Sequence, residues 1–340
     1  MRRWMSMLLT VLLLTGCGTA GEQGQDTEPD MAQTAMTVDG EAVSLREWNF
    51  YVRMNQMQWE KDELETYGDD MWSLELDEDG TTLADSLKAD VRDLICRTHL
   101  SARRAEEYGV ELSGEELEQV KERARDFMGA YHQALLEYAG ADEDFVYEQL
   151  CLTELSLAVE EAAAAEYEPQ IPEEDYHREG ICYVLVSTTG LRDGEGNLTP
   201  FTEEEVEERT DLAFSICETA RETGDLKSAA EDAGMTPIVS SMGASNEGDG
   251  QEPLMLDAAR ELAVGEISDP IETEEGWFVV QHTSGYDEES SEYWKDYLTE
   301  LARQEYLDGV LAGWMDEAVI QEYPEVMDQV NVKIVLKELL

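Results

Sequence analysis

Basic residues are scarce in this chain. Its 340 residues include 23 lysines and arginines against 79 aspartates and glutamates, a formal net charge of −56. Nucleic acids are bound through a basic footprint on their phosphates, so DNA and RNA are excluded as partners. Charge alone cannot hold such a chain on an anionic lipid surface either. Histidine occurs four times and cysteine five times, with no Cys-x-x-Cys and no Cys/His spacing of a zinc site. The acidic runs at 60–65 and 77–79 lack EF-hand spacing, so no metal and no cofactor is expected. The eight prolines follow no collagen-like pattern and no heptad repeat occurs, which excludes fibrous classes. Beyond the first twenty positions no apolar run reaches the roughly 18 residues of a membrane-spanning helix.

What is present is enough apolar material, 42% of residues, to build real cores, and enough length for about two domains. The acidity is spread along the chain. Residues 175–284 hold 25 acidic and 6 basic residues, net −19, so the charge reads as a property of the whole surface that favours solubility.

The N-terminus reads as an address. Arg2 and Arg3 precede a short apolar run at 7–14, which ends in Leu14-Thr15-Gly16-Cys17. This resembles the lipobox of bacterial lipoproteins, in which cleavage falls before the cysteine and its sulfur carries diacylglycerol. The mature chain then starts at Cys17, is held on the membrane by lipid at the extracytoplasmic face, and carries a side-chain charge of −58 (21 basic, 79 acidic). Residues 17–35 read as a flexible polar tether. An exported location permits disulfides among Cys96, Cys151, Cys182 and Cys217; three connectivities are possible, and single buried thiols are the other state.

Residues 37–43 read as a hairpin around Asp39-Gly40. Ser44 and Glu47 form a capping box opening a helix with Trp48, Tyr51, Val52, Asn55 and Trp59 on one face. A loop is expected over 67–80, then a helix over 83–108 with Leu83, Leu87, Val91, Leu94, Ile95 and Leu100 inward, closed by Gly109. Ser113 with Glu116 caps a helix running to Tyr138, and a further helix covers 145–167. After Pro169 and Pro172 the pattern changes. Residues 181–187 form a buried strand, 190–200 a loop, 202–223 a helix, 226–233 a short helix, 236–240 a strand, 242–250 a loop and 254–262 a helix. Residues 267–273 and 276–282 form a last hairpin. A helix over 292–319 follows, with Trp294, Tyr297, Leu298, Leu301, Tyr306, Val310 and Trp314 as its stripe, and 330–335 is a closing strand. One apolar stripe on so long a helix requires a partner.

Together these features resemble the PrsA/SurA-type foldases with a parvulin domain. The stretch 256–280, with Gly265-Glu-Ile-Ser-Asp-Pro-Ile271 and Gly276-Trp-Phe-Val-Val280, is similar to the parvulin signature, and 214–230 is similar to the first parvulin helices. The resemblance implies an α+β chain: a helical SurA-N-like chaperone module completed by the C-terminal helix, plus a small β-α-α-β-α-β-β domain. Its boundaries are a signal peptide 1–16, tether 17–35, helical N-domain 36–172, parvulin-like domain 173–285, and a returning segment 286–340. The family's two histidines are replaced, by Tyr183 and Phe278. Thr273 is kept, Glu275 replaces a small polar residue, and Met255 or Leu254 stands where the family has an aromatic residue. Tyr183, Phe278 and Thr273 are therefore the catalytic-position candidates, and Leu185, Leu254, Met255 and Glu275 the substrate-binding ones. His177 and His282 flank the domain's first and last strands, where they could approach each other.

X-Pro rotation faces a barrier of about 18–20 kcal/mol, and its catalysis requires a desolvated cleft rather than a nucleophile. With two aromatic rings in place of the histidines, the cleft reads as an apolar shelf for unfolded or proline-containing exported polypeptides. The leading reading is a membrane-anchored foldase that binds non-native chains. The alternatives are an active peptidyl-prolyl isomerase, and a solute-binding or assembly-factor lipoprotein reusing the fold. The sequence leaves the oligomeric state open.

Overall fold

A computed structural model describes residues 30–192, 198–244 and 250–336. The lipobox with Cys17, and the tether as far as residue 29, lie outside the described residues. In chain order the elements are β1 (Thr34–Val38), β2 (Glu41–Ser44), α1 (Leu45–Tyr67), a 3-10 turn at Met71–Ser73, α2 (Leu83–Ala102), α3 (Ala105–Tyr108), α4 (Gly114–Ala130), α5 (Gln133–Ala139), α6 (Glu143–Ala165) and α7 (Glu173–Tyr176). There follow β3 (Glu179–Ser187), β4 (Gly190–Arg192), β5 (Leu198–Pro200), α8 (Glu203–Thr223), α9 (Leu226–Asp232), β6 (Ile238–Met242), α10 (Pro253–Glu261), β7 (Ile271–Glu272) and β8 (Gly276–Ser284). The chain closes with α11 (Glu288–Glu317), β9 (Ile320–Glu322) and α12 (Pro324–Met327). The class is α+β. Among the described residues no helix is long and apolar enough to cross a membrane.

The chain divides into two units, Met1–Tyr167 with Gln304–Leu340, and Glu168–Arg303. In the first, Asp39 and Gly40 both adopt positive φ (50° and 85°), the geometry of a tight I′ hairpin turn, and join β1 to β2. Strand β9 pairs on the other side of β1. The hairpin starts three residues before the expected position, so 34–35 belong to β1 rather than to a tether, and Ala35 is fully buried. The capping boxes at Thr82/Asp85 and Ser113/Glu116 start α2 and α4. Trp48, Val52, Trp72, Leu87, Val91 and Ile95 form the main core, and Phe50, Phe127 and Phe145 centre a second one.

Several expectations for this unit are corrected. The helix expected over 83–108 breaks at Arg103–Arg104, where Arg103 turns to Asp39 (2.8 Å) and Arg104 stacks over Trp314. Leu94, expected inward, is exposed. The helix expected to run to Tyr138 breaks at Tyr131–His132, and the His132 ring accepts the Ala134 N–H as a new cap. The 67–80 loop contains a 3-10 turn that buries Met71 and Trp72. Finally, the closing strand is Ile320–Glu322 and not 330–335. Residues 330–336 are non-repetitive, yet Val330, Val332, Val335 and Leu336 are buried. Side chains of α1 satisfy their backbone instead of a neighbouring strand. Trp48 Nε1 donates to Met327 O (3.2 Å), Arg53 Nη1 to Asn331 O (2.9 Å) and Gln56 Nε2 to Ile334 O (2.8 Å), while Glu60 Oε2 accepts from Leu336 N (2.5 Å).

The second unit is built on one antiparallel sheet of order β6-β3-β8-β7. Cys182, Val184 and Val186 alternate on β3 with Ile181, Tyr183 and Leu185. Val184 and Val186 pack with Ala213, Ile216 and Cys217 of α8 and Leu226 and Ala229 of α9; Ile181 packs with Met255, Leu256 and Ala259 of α10. Within the 190–200 stretch expected as a loop, Gly190–Arg192 and Leu198–Pro200 pair as antiparallel strands β4 and β5. The last hairpin is shorter than expected, with β7 reduced to two residues and an isolated bridge from Ile267 to Gln281. Tyr297 and Leu301, expected on the inner stripe of the last helix, are exposed. All four described cysteines are free thiols; Cys217 donates to Ser268 O (3.2 Å) within its own core.

Candidate functional site

Antiparallel pairing places directly opposed residues on one face of a sheet. Leu185 opposes Phe278, which opposes Ile271; Tyr183 opposes Val280 on one side and Ile238 on the other. These six residues form two apolar rows on the face covered in part by α10. Pro253 at the first turn and the Glu252 side chain, which accepts the Leu254 N–H (3.2 Å), start that helix. Met255 and Leu256 then point into the cluster.

The two aromatic candidates meet. The Tyr183 and Phe278 ring centroids are 6.0 Å apart with planes tilted by 47°, within the range of a favourable aromatic pair. Phe278 is only 5% exposed and Met255 is 0% exposed, so the middle of the cleft is filled and its floor closed. What remains open is a shelf: Tyr183, Leu185 and Ile271 are half-buried, and Ile238 is exposed. Burial raises the Tyr183 phenol above its ordinary value. No hydrogen bond to its hydroxyl forms among the described residues, which leaves a single polar group on an apolar surface.

The other candidates separate. Leu254 is 54% exposed on α10 and available to a partner, whereas Met255 is core. Thr273 belongs to a turn: its N–H and its hydroxyl both donate to Gly276 O (2.8 and 2.9 Å), and its Oγ1 accepts from Glu275 N (3.3 Å). Glu275 is exposed on the same turn, and its carbonyl accepts the Thr188 N–H (3.1 Å). Gly276 has φ 140°, and a Cβ there would lie 2.3 Å from Val186 O, so only glycine lets the turn close against β3. Ile238 and Ile271 complete the shelf but were not singled out from the sequence; only the strand register assigns them to this face.

His177 and His282 do converge, on Glu179, at 3.7 and 3.1 Å. The His282 nitrogens also face Leu262 O (2.9 Å) and Ser284 O (3.1 Å), so backbone groups occupy the ring. Among the described residues no group of three or more His, Cys, Asp or Glu side chains is arranged to hold a metal. An open groove of about 730 Å³ lies on the α8 side of the sheet, away from the shelf, between Phe214, Arg221 and Pro270. There Phe214 packs edge-on against Trp277 and Arg221 pairs with Asp269 (2.9 Å).

No protein-family model and no curated protein matches the chain. Solved structures similar to it are PrsA- and SurA-type foldases and chaperones. The peptidylprolyl isomerase PrsA of Bacillus cereus is 19% identical, covering 91% of this chain and 99% of that one, with a TM-score of 0.33. The foldase protein PrsA of Lactococcus lactis is 12% identical, covering 88% and 100%, with a TM-score of 0.38. One of the SurA-like chaperones PEB4 and Cj1289 of Campylobacter jejuni is 11% identical, covering 85% and 98%, with a TM-score of 0.30. At these scores the likenesses carry no argument about the site, whose chemistry follows from its own residues.

Proposed function

We propose that the chain is an extracytoplasmic foldase-type lipoprotein, anchored through lipid on Cys17, that binds non-native exported polypeptides on the shelf of its parvulin-like unit. The helical N-terminal unit is its second, chaperone-like module. One observation carries the reading: the Tyr183–Phe278 pair and Met255 fill the cleft where a proline ring would be enclosed, while Tyr183, Leu185, Ile271 and Ile238 leave an apolar surface beside it. Such a surface binds by apolar burial, worth about 25 cal/mol per Å² removed from water. It tolerates many sequences, because its polar groups are few: the Tyr183 phenol, and Ser240 already bonded to Gln251 (2.6 Å). Proline isomerisation requires more, namely a site that fits the twisted amide better than the planar one. The isomerase reading has in its favour the Tyr183 hydroxyl, which has no hydrogen-bond partner among the described residues, and has the filled centre against it.

Refolding of a model protein limited by a slow proline step tests both. Added chain is expected to suppress aggregation at equimolar ratio and to leave the rate of the slow phase unchanged. Tyr183→Ser and the exposed-site variant Leu254→Ser should each weaken the suppression several-fold. Undiminished aggregation in the presence of the wild-type chain would remove the foldase reading, and an accelerated slow phase would replace it with the isomerase.

A further inference from the structure

Strand β6 ends the sheet, so one of its two edges has no strand beside it among the described residues. Open edges invite pairing by another chain, and proteins blunt them with lysine, proline, a bulge or an inward charge. Ile238–Met242 has none of these; the nearest proline, Pro237, lies just before the strand. Charged residues make up 30% of the chain, yet positions 233–246 contain none. The five residues Ile-Val-Ser-Ser-Met of β6 include no proline, and their pairing with β3 runs from Met242–Glu179 to Ile238–Tyr183 without a register shift. Among the described residues no backbone hydrogen bond crosses the outer edge of β6. Ile238 is 45% and Val239 65% exposed, on opposite faces of the sheet. Ile238 lies in the same row as Tyr183, so the edge and the shelf are continuous. At the other end of the sheet β7 has only two residues, too few to template a strand.

We propose that β6 receives an extended segment of the bound polypeptide as an added strand. The segment's main chain pairs with the outer edge of Ile238–Met242, and alternate apolar side chains extend the Ile238–Tyr183 row. The inference rests on the shelf reading and specifies its substrate class: extended segments in which apolar and basic residues alternate. Strand addition supplies affinity through main-chain hydrogen bonds and selectivity through every second side chain. The charge of the molecule selects among possible occupants. A second copy of this chain would bring another −56 to the same edge and be repelled, whereas a segment with basic residues on its solvent-facing side is attracted.

The test uses the full chain and a fluorescein-labelled, end-capped peptide of alternating valine and lysine, read by anisotropy. A second peptide of the same sequence is N-methylated at two adjacent central residues, which removes hydrogen-bond donors from both of its edges and keeps the side chains and charge. Saturable binding of the first peptide is expected, weakened at least tenfold by N-methylation and at least tenfold by Val239→Lys, with Val239→Thr close to wild type. Val239 is exposed, so circular dichroism should show these variants folded. If the N-methylated peptide binds equally well and Leu254→Ser weakens both, the shelf reading stands and strand addition fails. If neither peptide binds, both readings fail. A dimer in sedimentation velocity that Val239→Lys converts to monomer would assign the edge to a second copy and overturn the proposal.

Discussion

His99 joins three elements of the first unit through one ring. From α2, its Nε2 is 2.7 Å from Glu47 Oε1 on α1, and its Nδ1 lies 3.5 Å from Glu41 Oε1 on β2. The ring is 5% exposed. Burial by itself would lower the pKa of the imidazole, but the hydrogen bond and charge of Glu47, joined by Glu41, outweigh it and leave the pKa above the ordinary 6.5. A group whose folded pKa is raised contributes stability that is fully present below its unfolded pKa and is lost as pH rises through the folded one. Wild-type stability should therefore fall above pH 6.5 by an amount that His99→Gln lacks. Glutamine also leaves the buried Glu47 carboxylate without a cationic partner, a change that costs about 3–5 kcal/mol for a buried pair. Urea unfolding followed by tryptophan fluorescence between pH 5.5 and 9 checks both points, and parallel pH profiles for the two proteins would exclude the ion pair as their source. The sequence makes Glu47 the second half of a capping box, but only the first half forms: Ser44 Oγ accepts the Glu47 N–H (3.1 Å), while the Glu47 carboxylate turns to His99. The role of His99 was not legible, because its partners are 52 and 58 positions away. At the shelf the same contrast holds. Tyr183 and Phe278 are singled out by the resemblance to the parvulin signature, and the β3–β8 register makes them diagonal neighbours on one face. Leu254 and Met255 are adjacent positions whose assignment depends on the phase of α10 after Pro253, which is fixed only by packing.

At the scale of elements, the segment after α12 shows how an extended chain can be held without a sheet. Residues 330–335, Val-Asn-Val-Lys-Ile-Val, have the β-branched composition of a strand, and that composition does report burial. What it cannot report is the identity of the hydrogen-bonding partner. Arg53, Gln56 and Glu60 recur along α1 at close to helical spacing, and each satisfies one backbone group of the tail, while Trp48 holds the Met327 carbonyl at the end of α12. Strand β9, which does pair with β1, is only three residues long and too short to show an alternation. The breaks at 103–104 and 131–132 were hidden for a related reason: periodicity continues through them, while the arginines and His132 that cause them act through contacts. Gln56 is the test of the tail's attachment. It is 0% exposed and also donates to Glu60 Oε1 (2.8 Å), which in turn accepts from Trp72 Nε1 (2.9 Å). Gln56→Leu keeps the volume and strips both donor and acceptor, leaving Ile334 O unpaired and Arg53 Nη1, which in the wild type donates to Gln56 Oε1 (2.8 Å), with Asn331 O alone. A loss of about 1–3 kcal/mol is expected for one buried group so orphaned. Faster exchange of the Leu336 amide should accompany it, since Glu60 loses its positioning neighbour. Native-state hydrogen exchange reads this directly, and a Leu336 amide as protected as in wild type would show that the tail is held by its valines alone.

At the scale of the whole molecule, charge governs encounter rather than grip. The acidic residues are distributed through both units, and one stretch free of any charge, 233–246, contains the open edge next to the shelf. A partner is therefore drawn by the field of the molecule and held by a surface on which that field has few sources of its own. Long-range attraction is screened over a Debye length of about 8 Å at physiological ionic strength and about 3 Å at 1 M salt, whereas burial of apolar side chains is not weakened by salt. The two contributions should thus separate in stopped-flow binding of unfolded polypeptides that differ only in charge. For a basic polypeptide, raising sodium chloride from 50 mM to 500 mM should slow association by about tenfold or more, with the dissociation rate changed far less. For a neutral polypeptide of the same apolar content, association should be nearly independent of salt. Equal salt dependence for the two would mean that the −56 of the chain plays no part in capture. A dissociation rate that rises with salt as steeply as association falls would place the binding energy in ion pairs, and the shelf would then be incidental to it.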